Sequence, residues 1–194
     1  MLRNFSRLNM YLNMLLDDVY PQPTDAGHTK WANQVFEKWF MPNGLGESVL
    51  DVGCGDTAFM KSRFESVGMK YTGVAVRTIN PEIVNADFSF LDFDDNSFDV
   101  IFSRHSLEHS PMPIITLMEW NRVSSHLLCL ILPNPITYGW AGRNHYSMLH
   151  PDQVEFLLNR SGWHIIWTDF SEESELRYMC EKVQKSEYGK YKNE

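Results

Sequence analysis

In the stretch SVLDVGCGDTAFM, Ser48 to Met60, an apolar run ends in an aspartate and two glycines bracket a cysteine. Gly53 and Gly55 allow a sharp turn and the close approach of a ligand, because a Cβ at either place would intrude. The Asp51 carboxylate suits a cationic group or ordered water beside that turn, and it repels pyrophosphate. Gly53, Gly55 and Ala58 give the formal GxGxxA spacing of a dinucleotide site, whereas no lysine follows them to make a Walker loop. A second set of chemistry-bearing residues lies downstream. Ser103, Arg104, His105, Glu108 and His109 fall in SRHSLEH, and His145 and Tyr146 in NPITYGWAGRNHYSMLH. A general base is needed only where a nucleophile carries a proton of high pKa, and His145 and His109 are the first candidates for it.

These groups have to be positioned by the elements around them. SVLDVG, KYTGVAV, EIVNAD, FDVIFSR, HLLCLILP, WHIIWTDF and ELRYMCEKV read as strands. TAFMKSRFESVG, PIITLMEWNRVS and HPDQVEFLLNRSG read as helices between them. Such alternation predicts one doubly wound α/β domain, with a mostly parallel sheet and helices on both faces. Ahead of it, Leu8, Tyr11, Leu12, Leu15 and Leu16 recur at helical spacing. After Pro21 and Pro23, a second helix capped by Thr24 or Asp25 is expected to run to about Phe40, with Trp31, Val35, Phe36 and Trp39 as its apolar stripe. Residues 1–42 therefore form an N-terminal helical extension, a candidate lid, on a core over residues 48–183. Its Tyr20, His28 and Trp31, with Tyr138, Trp140 and Tyr146, are candidates for an aromatic wall over a small organic ligand; the same aromatics could instead pack the helices onto the sheet.

The 194 residues suffice for one sizeable domain. With 43% apolar and 22% charged residues and no long apolar run, the chain reads as globular, without a membrane span or signal peptide. A net charge of −8 disfavours general nucleic-acid binding, and Lys182, Lys185, Lys190 and Lys192 read as a solvated, frayed end. Cys54, Cys129 and Cys180 are few, scattered and without a histidine at zinc spacing, so buried free thiols in a reducing cytoplasm are expected, and no metal.

The ordered combination of VLDVGCG, NADFSFLDFDDNSFDVIFSRHSLEH and HYSMLHPDQVEFLLNRSGW resembles the class I, S-adenosylmethionine-dependent methyltransferases over about Ser48 to Val183. The resemblance implies a Rossmann-like, seven-stranded fold and S-adenosylmethionine as cofactor, with S-adenosylhomocysteine as product. It places Asp51, Gly53, Cys54 and Gly55 at the methionine and ribose end, and Asp87 with Phe88 at the adenine. It places Ser103, Arg104 and His105 beneath the sulfonium, facing a small-molecule acceptor. The family's usual acid at the end of strand two is replaced by Ala75. Losing that charge-assisted hydrogen bond would cost about 1.5–3 kcal/mol, one to two decades of affinity. Two readings stay open: an enzyme that holds its cofactor without that anchor, or a degenerate relative that uses the fold for binding. A nicotinamide-dependent oxidoreductase is a third. A nucleobase acceptor is disfavoured, because an Asn/Asp-Pro-Pro-aromatic motif is missing after strand four, where SRHS stands.

Overall fold

A computed structural model describes residues 10, 13, 32–40, 45–138, 144–171 and 173–183. All of the expected first helix but residues 10 and 13, the residues before 32 in the second, Trp140 and the last three tail lysines lie outside the described residues. Seven strands form one sheet in the order β3-β2-β1-β4-β5-β7-β6: β1 Ser48–Val52, β2 Lys70–Ala75, β3 Ile83–Asn85, β4 Phe98–Arg104, β5 Ser124–Pro133, β6 Trp163–Asp169 and β7 Glu175–Lys182. The first five strands pair in parallel, and β7 runs antiparallel to both β5 and β6. Strand order reverses between β1 and β4, whose ends meet at Val52 and Ser103. In sheets of this kind, ligands bind beyond the carboxyl ends of the strands at that reversal.

Helices cover both faces, as the alternation predicts. Strand side chains alternate in direction, so Leu50, Val52, Ile101, Leu128 and Leu130 face α2 (Pro113–Val123) and α4 (Pro151–Arg160), packing on Leu117, Trp120, Val154 and Leu158. Val49, Val100, Phe102, Cys129 and Ile131 face the other way, onto α1 (Lys61–Ser66) and the segment 32–40. A short helix α3, Pro135–Tyr138, follows β5. All three cysteines are buried and unpaired. No helix among the described residues is long and apolar enough to cross a membrane.

Three elements depart from the sequence expectation. Residues 32–40 of the N-terminal extension pack into the core: Ala32, Val35, Phe36 and Phe40 are buried. Phe36 and Phe40 close on Phe64 with ring centroids 5.4 and 5.1 Å away, and the segment ends in a π-helical turn, Phe36–Phe40. The helix after the glycine turn starts only at Lys61 and spans six residues, with residues 55–60 in turns. Asp56 explains part of this. Its carboxylate accepts from the Ile79 N–H at 3.2 Å and its carbonyl from Asn80 Nδ2 at 3.0 Å, and two residues on Ala58 sits at φ +42°. Lys182 is not part of a frayed tail, since its Nζ donates to the Ser124 carbonyl.

Candidate functional site

At the β1 end, the N–H groups of Gly53 and Cys54 both donate to the Val74 carbonyl, at 2.8 and 3.1 Å, which turns the chain across β2. Gly53 has φ +79°, and a Cβ there would lie 2.0 Å from Ser106 Oγ, which itself donates to the Val52 carbonyl at 3.0 Å. Gly53→Ala therefore combines left-handed strain with a clash, and should destabilise the fold by about 2–4 kcal/mol. Thermal unfolding checks this, and Ser106→Gly in the same chain should recover part of the loss.

Asp51 is buried beneath the turn and accepts a hydrogen bond from the Tyr71 hydroxyl at 2.8 Å. Burial outweighs that bond and pushes its carboxyl up to about 7. The Cys54 thiol is pushed up to about 12 by burial and the Asp51 charge, which makes it an inert wall. Gly73 makes room for this group, because a Cβ there would stand 2.8 Å from Cys54 Sγ and 3.1 Å from the Tyr71 oxygen.

At the β2 end, Ala75 is buried in a small apolar cluster with Cys54, Ala58 and Ile83. The nearest downstream acid, Glu82, pairs with Lys61 at 2.9 Å on the surface. Past β3, Asp87 accepts the Ser89 N–H at 2.9 Å in a local turn. The neighbouring Phe88 turns its ring onto Trp120, 6.0 Å between centroids, and its carbonyl accepts from the Trp120 indole. A buried chain of hydroxyls, Ser89–Thr116–Ser110, ties this loop to the turn after β4 through contacts of 2.8 and 2.7 Å.

At the β4 end, Ser103 Oγ is buried and has no hydrogen-bond partner among the described residues. Arg104 and His105 turn toward Glu175 at the start of β7. Its Oε1 lies 3.0 Å from Arg104 Nη2 and 3.2 Å from His105 Nε2, and its Oε2 accepts from Arg177 at 3.1 Å. The next turn, Leu107–His109, carries Glu108 and His109. The Ser147 N–H donates to the Glu108 carbonyl at 2.9 Å, and Ser147 Oγ to the Ser110 carbonyl at 2.6 Å. These bonds stitch the loop after β5 to this turn and bring the His145 ring to 4.8 Å from the His109 ring, centroid to centroid. The two candidate bases are thus one unit. Burial pushes the Glu108 carboxyl up to about 8 and lowers His145 below the ordinary imidazole value.

The sequence reading missed Tyr71, Ser106, Glu175 and Arg177. Only the Glu175–Arg177 pair carried a signal, two opposite charges at i, i+2 on one face of β7.

Residues 50–126 match a family described as a methyltransferase domain. No curated protein matches. A S-adenosylmethionine-dependent methyltransferase from Aquifex aeolicus superposes with a TM-score of 0.62 at 18% identity, over 81% of this chain and 98% of that one. The [4+2]-cyclase SpnF superposes at 0.67 and 16% identity, over 86% and 84%. A methyltransferase described as putative, in complex with the Trm112 activator of Haloferax volcanii, superposes at 0.61 and 14%, over 82% and 94%.

Proposed function

We propose that this chain, whose residues 50–126 match a methyltransferase domain and whose fold is shared with S-adenosylmethionine-dependent methyltransferases, is a class I methyltransferase that transfers a methyl group from S-adenosylmethionine to a small organic acceptor. The observation that carries the reading is the glycine turn at the point of strand reversal, set over the buried Asp51 carboxylate. Asp51, Gly53, Cys54 and Gly55 would hold the amino-acid end of the cofactor, and Asp87 the adenine end. Ser103, with its unpartnered hydroxyl, stands at the strand end between them. The cofactor supplies an already activated methyl group, so the protein's part is alignment and exclusion of water. His109 and His145, across the β4 end, are the groups that handle the acceptor.

A non-enzymatic binding role is favoured by one observation. At the place of the usual ribose acid, Ala75 packs in an apolar cluster with Cys54, Ala58 and Ile83. A cyclase on a similar fold also shows that this architecture hosts other chemistry. The nicotinamide reading is weakened by the late start of α1, which leaves no helix N-terminus directly after the glycines for a pyrophosphate.

Calorimetry of the full chain with S-adenosylmethionine and S-adenosylhomocysteine tests the proposal. Saturable binding of both is expected, and NAD should leave the melting temperature unmoved. Absence of binding at millimolar ligand would sink the enzymatic reading. Ala75→Asp should lower the stability of the ligand-free protein, because it puts a carboxylate among Cys54, Ala58 and Ile83. In the same variant, affinity for S-adenosylmethionine should rise about tenfold or more as the ribose anchor returns.

A further inference from the structure

We propose that Glu108, His109 and His145 form a binding site for one divalent transition-metal ion of the zinc class. The three residues each present a ligand atom, and these atoms lie within 4.8 Å of one another. Glu108 Oε1 and His109 Nε2 are 4.0 Å apart, too long for a hydrogen bond. Tetrahedral zinc with bonds of about 2.0–2.1 Å holds neighbouring donors about 3.3–3.5 Å apart, so side-chain rotations that close gaps of up to about 1.5 Å complete the set.

Two further features select a cation. Glu108 is 2% exposed, and its Oε2 has no hydrogen-bond partner among the described residues. A buried carboxylate oxygen left this way is costly unless something satisfies it. His109 Nδ1 lies 3.0 Å from the Asn144 carbonyl. A carbonyl only accepts, so Nδ1 carries the proton and Nε2 is the ring atom that can ligate an ion. Histidine ligands are typically oriented by a carbonyl in this way. The nearby guanidinium of Arg104 is directed to Glu175 at 3.0 Å, so its charge is already met.

Two imidazoles and one carboxylate suit zinc, iron, cobalt or nickel better than magnesium or calcium. Three protein ligands leave a coordination position open. The assignment stands on these three residues alone and holds whether or not S-adenosylmethionine binds.

The metal-free full chain, titrated with Co(II) and with Zn(II) against a chromophoric chelator, provides the test. One equivalent should bind, with the visible d–d absorption of a nitrogen- and oxygen-ligated, low-coordinate cobalt. His145→Ala and Glu108→Gln should each weaken binding at least a hundredfold, with circular dichroism confirming that the variants are folded. Changing the exposed His164 to alanine should leave binding unchanged. Lack of stoichiometric binding overturns the assignment. So does binding that survives both variants, or a thiolate-to-cobalt charge-transfer band, which would place the ion on a cysteine. If Glu108→Gln fails to fold, the decision rests on His145→Ala, whose half-buried ring is no part of the hydrophobic core.

Discussion

Glu175→Gln should cost the fold about 3–5 kcal/mol, the largest loss expected from any isosteric change in this chain. Glu175 is completely buried, and it is the shared partner of two guanidinium groups whose side chains are 6% and 4% exposed. Arg104 reaches it from β4 across the intervening strand β5, where Ile131 pairs with both arginines, and Arg177 lies two residues along β7 itself. A neutral amide keeps one acceptor and turns an N–H group toward a cation; Arg177 keeps Asp169 at 3.7 Å, so Arg104 is the buried charge that loses its counter-ion. In a domain of this size the loss corresponds to a fall in melting temperature of about 6–20 °C. The pH dependence has a definite sign. Burial alone would raise the Glu175 carboxyl, but the His105 hydrogen bond and the charges of Arg104, His105 and Arg177 together hold it below its ordinary value of 4.5. The folded state therefore binds fewer protons there than the unfolded state. Its contribution is complete above pH 4.5 and is lost as the pH falls through the lowered value. Thermal unfolding of wild type and variant between pH 3 and 7 checks both statements. A loss below about 1 kcal/mol would mean that water reaches the cluster and screens it. Changing Arg104, Glu175 and Arg177 together to leucine should recover most of the stability, since a filled apolar site carries no desolvation cost.

That cluster marks where the sequence stopped being readable. The seven strands were legible because buried strands appear as apolar runs closed by turn residues. The glycine turn was legible because Gly53 and Gly55 adopt left-handed φ of +79° and +63°, which glycine takes most readily. Arg104 was legible only as a residue at a strand end. Its partner lies 71 positions away, and nothing local says that the side chain turns to β7 and not to the cleft. TAFM looks like helix because its residues are apolar, yet Asp56 captures the loop after β2 and the helix starts later. Ala75 was visible as a missing acid. That Cys54, Ala58 and Ile83 close around the place is a fact of packing, which only the assembled sheet reveals. His109 and His145 were both visible. Their contact across 36 positions depends on the hydrogen bonds of Ser147, a residue with no chemistry of its own to draw attention.

The second large effect concerns Asp51, where stability and ligand binding pull in opposite directions. Its carboxyl titrates near 7 in the folded protein, against 3.8 as the ordinary value. The folded state thus holds a proton that the unfolded state releases. Stability from this group is full below pH 3.8 and declines as the pH rises to about 7, by up to about 4 kcal/mol. Glu108, raised to about 8, adds a slope of the same sign, so the Asp51 share is read as the difference between wild type and Asp51→Asn. The variant should match wild type near pH 4 and be more stable at pH 8. A buried carboxylate that weakens its own fold at neutral pH is the pattern expected of a residue kept for a ligand. If that ligand carries a cationic ammonium group, as the amino-acid end of S-adenosylmethionine does, binding restores the charge that burial suppresses. Binding below pH 7 should then release a proton, and affinity should rise by up to about tenfold per pH unit between 5 and 7. Calorimetry in buffers of different ionisation heat counts the proton directly. Asp51→Asn should abolish the release, flatten the pH profile and weaken binding at least tenfold while raising the melting temperature. Affinity that stays level from pH 5 to 8 with no proton exchanged would remove Asp51 from the cofactor site and leave its carboxyl as a partner of Tyr71 alone.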